Sequence, residues 1–239
     1  MQSNQEMREQ TAQFSKASAV SSAADEDLRA LDGFRFLWVE LTNRCNLTCA
    51  HCYAESGPRP SRKDVLTTAD YKRLLEEAAA LGCRAVQFLG GEPTLHGGLP
   101  ELIARARALR YEHVEVYTNG TVLPDTLLSC FVDNRVSMAV SVYADDPDVH
   151  DAVTRRIGSH RRTISNLQRM VTAGLDVRIG LIAMDVNKSR VDNTVSFLRG
   201  LGIERVRIDV TRSVGRGGGP PCWVDSPQRG SPAAQVQTW

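Results

Sequence analysis

The chain predicts an α/β fold, in which a parallel sheet presents its chemistry at the carboxyl ends of the strands. One pattern predicts it. From Phe34 onward, short apolar or β-branched runs alternate with segments of helical periodicity about six times. That order demands parallel strands joined by right-handed crossovers. Such a sheet either opens as a doubly wound sheet or curls into a full or partial barrel.

Six strands are expected, over Arg35–Leu41, Ala85–Leu89, Val114–Thr118, Val136–Val142, Val177–Ala183 and Arg205–Val210. After the first, Thr67-x-x-Asp70 can cap a helix whose buried face carries Tyr71, Leu74, Leu75 and Ala78. Pro100 suits the opening turn of the next helix, with Leu102, Ile103, Ala106 and Leu109 on its apolar stripe. Pro124–Cys130 supplies a short helix, and two more follow on Ile164, Leu167 and Val171 and on Val191, Val195 and Leu198.

The ends differ from this body. Residues 1–30 are rich in Gln, Ser, Ala and Glu and hold few large apolar side chains, so a disordered leader is expected there, ahead of a core domain over 31–213. From Val214 to Trp239, eleven of 26 residues are Gly, Pro or Ser, which reads as a disordered tail over 214–239.

Lys and Arg number 29 against 28 Asp and Glu, for a net charge of +1. No basic field for nucleic acid or an anionic membrane follows. No apolar run approaches the ~20 residues of a membrane span, and the polar N-terminus lacks a secretory core, so the expectation is a cytoplasmic chain with neither nucleic-acid nor membrane partner. Six cysteines are too sparse for a disulfide framework in a chain of 239 residues, and clustered ones point to metal.

Three of them do cluster. Cys45, Cys49 and Cys52 stand at C-x3-C-x2-C on the loop after the first strand. Three thiolates can wrap one soft-metal object, yet a closed zinc site wants four ligands and this loop leaves a position open. His51, between two of the cysteines, is awkwardly placed to complete the shell. Structural zinc completed by a distant His or Cys is the alternative. Cys83 and Cys130 stand alone and read as small buried apolar residues.

The stretch Val39-Glu40-Leu41-Thr42-Asn43-Arg44-Cys45-Asn46-Leu47-Thr48-Cys49-Ala50-His51-Cys52-Tyr53 resembles the signature of the radical S-adenosylmethionine (SAM) enzymes. In that family the three cysteines hold three irons of a [4Fe-4S] cluster, and SAM chelates the fourth through its amino and carboxylate groups. The resemblance runs from about Phe36 to Arg216 and implies a partial (β/α)6 barrel.

The resemblance also implies a set of SAM contacts. His51 matches the residue beside the adenine. Gly90, Gly91 and Glu92 match the segment that meets the SAM amino group, though alone they read as a tight turn. Asn119 and Ser141, at the ends of the third and fourth strands, fall where the ribose or carboxylate is approached. Arg155, in His150–Arg155, matches a segment of peptide-modifying members and is placed to pair with the SAM carboxylate; alternatively Arg155, Arg156, Arg161 and Arg162 form a solvated basic surface. Ile182 packs either on adenine or in the core.

The chemistry implied is reductive cleavage of SAM to a 5′-deoxyadenosyl radical that abstracts a substrate hydrogen, inside a wall of apolar strands that excludes water. The implied partners are a ribosomally made precursor peptide and a flavodoxin- or ferredoxin-like electron donor. A small-molecule step in cofactor or antibiotic biosynthesis, or an idle iron-sulfur or zinc module, are the alternatives. Peptide-modifying relatives continue into a cysteine-rich (SPASM) extension; Asp209–Arg216 resembles its approach, and one cysteine, Cys222, follows.

Overall fold

The structure, a computed structural model, describes residues 34–218; the expected leader and everything after Gly218 lie outside the described residues. Six strands form one parallel sheet: β1 (Phe36–Glu40), β2 (Ala85–Leu89), β3 (His113–Thr118), β4 (Ser137–Ser141), β5 (Val177–Ala183) and β6 (Val206–Val210). Their order in the sheet is their order in the chain. That settles the choice between the two architectures. A doubly wound sheet reverses direction partway so that helices cover both faces, whereas right-handed crossovers in one direction put every helix on the same face. The molecule is therefore a partial (β/α)6 barrel, with β1 and β6 as edges.

The helices are α1 (Thr68–Ala80), α2 (Leu99–Ala108), α3 (Asp125–Asp133), α4 (Pro147–Thr154), α5 (Ser159–Thr172) and α6 (Val191–Gly200). One core joins them to the sheet. Val86, Phe88, Val114, Val116, Met138, Val140 and Ile179 point outward from the strands against Tyr71, Leu75, Leu102, Ile103, Phe131, Leu167 and Leu198. Thr67 and Asp70 close the capping box on α1: the Thr67 hydroxyl accepts from Asp70 N at 3.3 Å and Asp70 accepts from Thr67 N at 2.9 Å. Leu74, expected on the buried face of α1, is exposed. Among the described residues no helix is long and apolar enough to cross a membrane.

Two features depart from the sequence expectations in ways that matter to the site. The first is α4, which periodicity alone passes over because eight residues give it barely two turns. Its signal is chemical: Asp146 accepts from Asp148 N and Val149 N at 2.9 and 3.2 Å, and Pro147 takes the first helical position. The second is the start of the Gly-rich tail. Residues 215–218 form a 3-10 turn packed on the cysteine loop, so the tail expected to be disordered from 214 begins as part of the core. Gly215 has φ +55°, and a Cβ there would run into the carbonyls of Cys52 and Tyr53. Glycine, read from composition as flexibility, here permits close packing.

The concave face is also unlike the expectation. Apolar side chains go outward to the helices, and the alternate residues lining the barrel include a polar group, Gln87, Glu115, Tyr117 and Arg178, beside the apolar Ala139 and Ile182. Gln87 Nε2 donates to Glu115, and Arg178 grips the Glu115 carboxylate with two bonds of 2.7 Å while lying 5.4 Å from the centre of the Tyr117 ring.

Candidate metal and cofactor site

The three cysteines sit directly beyond β1, at the carboxyl end of the sheet. Buried Leu41 and Leu47 anchor the loop on either side of Cys45. Cys45 N donates to Gly57 O at 3.0 Å, and Asp64 accepts from the Thr42 hydroxyl at 2.6 Å and from Asn43 N at 2.7 Å, so the loop folds back on itself before α1. On its far side Ala50 N donates to Val153 O at 2.9 Å and Thr48 N to Thr154 O at 3.3 Å, which seats the end of α4 on the loop. Arg216 holds it from a third side, donating from Nε to Cys49 O and from its guanidinium to Ser56 O, both at 2.8 Å, and from its backbone N to Cys52 O at 3.0 Å.

Without metal Cys45 and Cys49 are thiols. Burial pushes Cys45 up to about 11, with Glu92 and Cys52 adding to the rise. Burial and then the neighbouring Cys45 and Cys52 push Cys49 up to about 12, against a smaller opposing effect of Arg216. A cationic metal centre is what converts them to thiolates, releasing their protons as it binds. Leu47 N and Asn119 Nδ2 aim at Cys45 Sγ from 3.4 and 3.7 Å, a donor pair that favours the anionic sulfur.

Glu92 is wholly buried and ties the second and third strand loops to the first. Its Oε1 accepts from Thr94 N at 3.1 Å, the Thr94 hydroxyl at 2.7 Å and the Thr118 hydroxyl at 2.6 Å; its Oε2 accepts from Asn119 N at 2.8 Å. Burial raises its pKa, and those donors pull the other way. The two preceding glycines serve the chain's own packing. A Cβ on Gly90 (φ +136°) would sit 2.7 Å from Thr42 O, and one on Gly91 would run into the Arg44 carbonyl, so this turn passes directly against the cysteine loop. Asn119 is as fully engaged: Nδ2 donates to Asn46 Oδ1 at 2.9 Å, and Oδ1 accepts from Thr121 N and its hydroxyl at 2.9 and 2.6 Å.

His51 packs edge-on against Tyr143, with ring centroids 4.9 Å apart, and its Nδ1 is buried with no partner. Burial, reinforced by the Arg216 charge, depresses its pKa to about 4, so the ring is neutral. Ile182 packs with Tyr143, Val153 and Met184 in a small second cluster. Ser141 ends β4 half-buried on the concave side, paired in register with Gly180. Arg155 is exposed in a left-handed conformation at the end of α4, and among the described residues its side chain makes no ion pair or hydrogen bond. Cys83 is a core residue, and Cys130 lies half-buried on α3.

Sequence reasoning brought Cys45, Cys49, Cys52, His51, Gly90, Gly91, Glu92 and Asn119 to one place. It missed Arg216, Tyr143 and the Glu115–Arg178 pair. A signal for the last was present: a carboxylate between Val114 and Val116 and a guanidinium between Val177 and Ile179 mark an inward, polar row in otherwise apolar strands.

The donor set fits an iron-sulfur cluster. Three cysteines share one loop, one short of the four ligands that a closed structural zinc takes, and a cubane gives each cysteine its own iron. The orphaned His51 Nδ1 beside Cys52 marks a polar atom left for a bound group.

Comparison with known proteins agrees. A family model described as the Radical SAM superfamily matches residues 39–198. The mycofactocin maturase MftC of Mycolicibacterium smegmatis is 29% identical over 213 residues, covering 88% of this chain and 53% of the relative. Molybdenum cofactor biosynthesis protein 1 of Drosophila melanogaster is 31% identical over 167 residues, covering 69% of this chain and 29% of that protein. Streptococcus suis SuiB, solved bound to S-adenosylmethionine, superposes with TM-score 0.66 at 19% identity, over 75% of this chain and 41% of SuiB. The chain thus spans about half or less of the length of these relatives. With three cysteines on the loop after β1 of a partial (β/α)6 barrel, and a family match over well over half of the sequence, the chain belongs to the radical SAM superfamily of enzymes, whose cofactors are a [4Fe-4S] cluster and S-adenosylmethionine.

Proposed function

We propose that the chain reductively cleaves SAM and uses the product to modify a ribosomally made peptide. The observation that carries this is the open three-cysteine loop at the mouth of the barrel, braced from α4, from the β2 and β3 loops and from Arg216. When bound, the cluster and SAM supply a 5′-deoxyadenosyl radical for hydrogen abstraction. The chain's own residues prepare the place. Cys45, Cys49 and Cys52 hold the irons, and Asn119 and Leu47 stabilise the Cys45 sulfur. His51, neutral and packed on Tyr143, offers a flat face and a free Nδ1 to the adenine. Glu92 fixes the Asn119 backbone and, with the turn of Gly90 and Gly91, is assigned to the place of the SAM ammonium. Ser141, at the rim of β4, approaches the ribose or carboxylate. Arg155 we assign to the basic surface, given its exposure.

The polar floor of Gln87, Glu115, Tyr117 and Arg178 is internally satisfied, so it closes the barrel below the reacting atoms. The peptide assignment is supported by MftC, AlbA and SkfB among the relatives, the first matched over 88% of this chain. The small-molecule alternative is supported by the GTP 3′,8-cyclase of Rhizobium meliloti, 29% identical over 73% of the chain. A reducing, cytoplasmic setting and a flavodoxin- or ferredoxin-like donor complete the proposal. Anaerobic incubation of reconstituted protein with SAM and dithionite tests it: 5′-deoxyadenosine is expected, and intact SAM beside a reduced cluster would make the chain an idle module. Mass change in a candidate precursor peptide then separates peptide from small molecule.

A further inference from the structure

We propose that the corner between α4 and α5 is the docking surface for a small acidic protein that delivers single electrons to the cluster. The inference rests on the cluster assignment above and names a partner for it. Four arginines, Arg155, Arg156, Arg161 and Arg162, lie within eight residues, all exposed. Among the described residues none of them enters an ion pair. Asp151, the carboxylate nearest in sequence, is turned inward, accepting from Gly158 N at 2.5 Å, the Ser159 hydroxyl at 2.7 Å and His160 N at 2.8 Å. Between the two pairs in the chain Ile157 is 93% exposed, an apolar anchor beside positive charge.

The placement of the charge is itself costly. Arg161 and Arg162 stand in the first turn of α5, where the helix dipole is already positive and the inward Asp151 is the carboxylate set against it. Folding alone would favour the opposite sign at both positions. An acidic partner resolves the conflict, and charge complementarity of this kind speeds encounter more than it strengthens the final complex.

Two short paths lead from this surface to the cysteines. Arg161 and Arg162 line a shallow surface groove with Thr121 and Pro124. Thr121 N donates to Asn119 Oδ1, and Asn119 Nδ2 reaches Cys45 Sγ. From the other side, Val153 O accepts from Ala50 N, next to Cys49, three residues before Arg156. A peptide substrate needs the concave face, where its hydrogen must lie; this corner belongs to the helix layer. A net charge of +1 gives no wider basic field for nucleic acid. The step is a one-electron transfer: the carrier is oxidised by one electron, the cluster goes from [4Fe-4S]2+ to [4Fe-4S]+, and no bond or proton moves between the proteins.

The test compares wild type with R161E/R162E and with I157S, all reconstituted, by stopped-flow bleaching of the cluster under reduced flavodoxin at low and high salt. Both variants should reduce more slowly, R161E/R162E by about tenfold or more at low salt, with the gap closing as salt screens the charges. The extent of reduction by dithionite and the 5′-deoxyadenosine it yields should match wild type. Misfolding is controlled by the melting temperature, which should stay close to that of wild type in both variants, and by the dithionite arm. Equal flavodoxin rates in all three proteins, or no reduction of wild type by flavodoxin, would overturn the docking proposal while leaving the cluster intact. Loss of acidic-peptide binding in R161E/R162E with an unchanged flavodoxin rate would overturn it too, giving the surface to the substrate. Failure of dithionite to reduce wild type would instead remove the cluster assignment, and the docking proposal with it.

Discussion

Arg216 Nε donates to the carbonyl oxygen of Cys49 at 2.8 Å, joining two residues 167 positions apart in the chain. With its second bond to Ser56 O and its backbone bond to Cys52 O, it closes the cysteine loop from beyond β6. The end of the core is thereby coupled to the shape of the metal site.

A chain ending at Gly218 should accordingly keep its cluster, and one ending at Val214 should lose much of it. The point variant Arg216→Gln should behave like the shorter chain, because it surrenders two bonds from a charged donor, each worth about 1.5–3 kcal/mol. Iron retention after desalting, with the melting temperature of the iron-free protein, measures both. Full retention in the chain ending at Val214 would show that the 3-10 turn only rests on the loop.

Glu92→Gln keeps the shape but turns an amide N–H toward donors that Glu92 now accepts from. One of Asn119 N, Thr94 N or the two hydroxyls is left unpaired in a fully buried place, at a cost of about 1–3 kcal/mol. Stability should fall, and SAM affinity should fall with it as the Asn119 loop loosens and the charge proposed to face the ammonium disappears. Calorimetric titration with SAM beside urea unfolding measures the two together. Unchanged values for both would mean that the carboxylate is protonated and dispensable.

His150 gives the fold a pH dependence away from the cysteines. Burial, helped by the positive charge of His160 and opposed by Asp151, holds its pKa down to about 4. The other groups against it are the Tyr143 ring and the Tyr143 N–H, which donates to His150 Nδ1 at 3.3 Å. The unfolded chain takes its proton first, near pH ~6.5, so this stability is whole above that value and drains as pH falls toward 4. His150 should contribute a loss on the order of 2 kcal/mol from pH 7 to pH 5, beside a similar share from His51, so urea unfolding of His150→Asn should lose less than wild type by about that amount. An equal slope in the variant would place the titration elsewhere.

How much of this was legible in the sequence varies by element for physical reasons. The strands were plain because parallel strands packed on helices are apolar in long runs; β2 and β5 fall where the runs place them. The α4 helix was not, since two turns give no periodicity and only Asp146-Pro147 betrays it. The cysteines and the Gly90–Glu92 turn were visible by spacing and by resemblance. What the turn does for the chain was hidden, because the space its glycines leave is filled by Thr42 and Arg44, some fifty residues away. Arg216 was invisible for the opposite reason: Gly-rich composition signals freedom, and only the fold reveals that the glycines sit against carbonyls.

In the proposed enzyme Cys45, Cys49 and Cys52 hold a cluster whose fourth iron is open to SAM. The direct measurement is electron paramagnetic resonance of the anaerobically reconstituted, reduced protein with and without SAM, beside metal analysis. About four irons per chain and a spectrum that changes when SAM is added are the predicted result, both lost in Cys49→Ser. Stoichiometric zinc without iron, or a cluster spectrum indifferent to SAM, would contradict it.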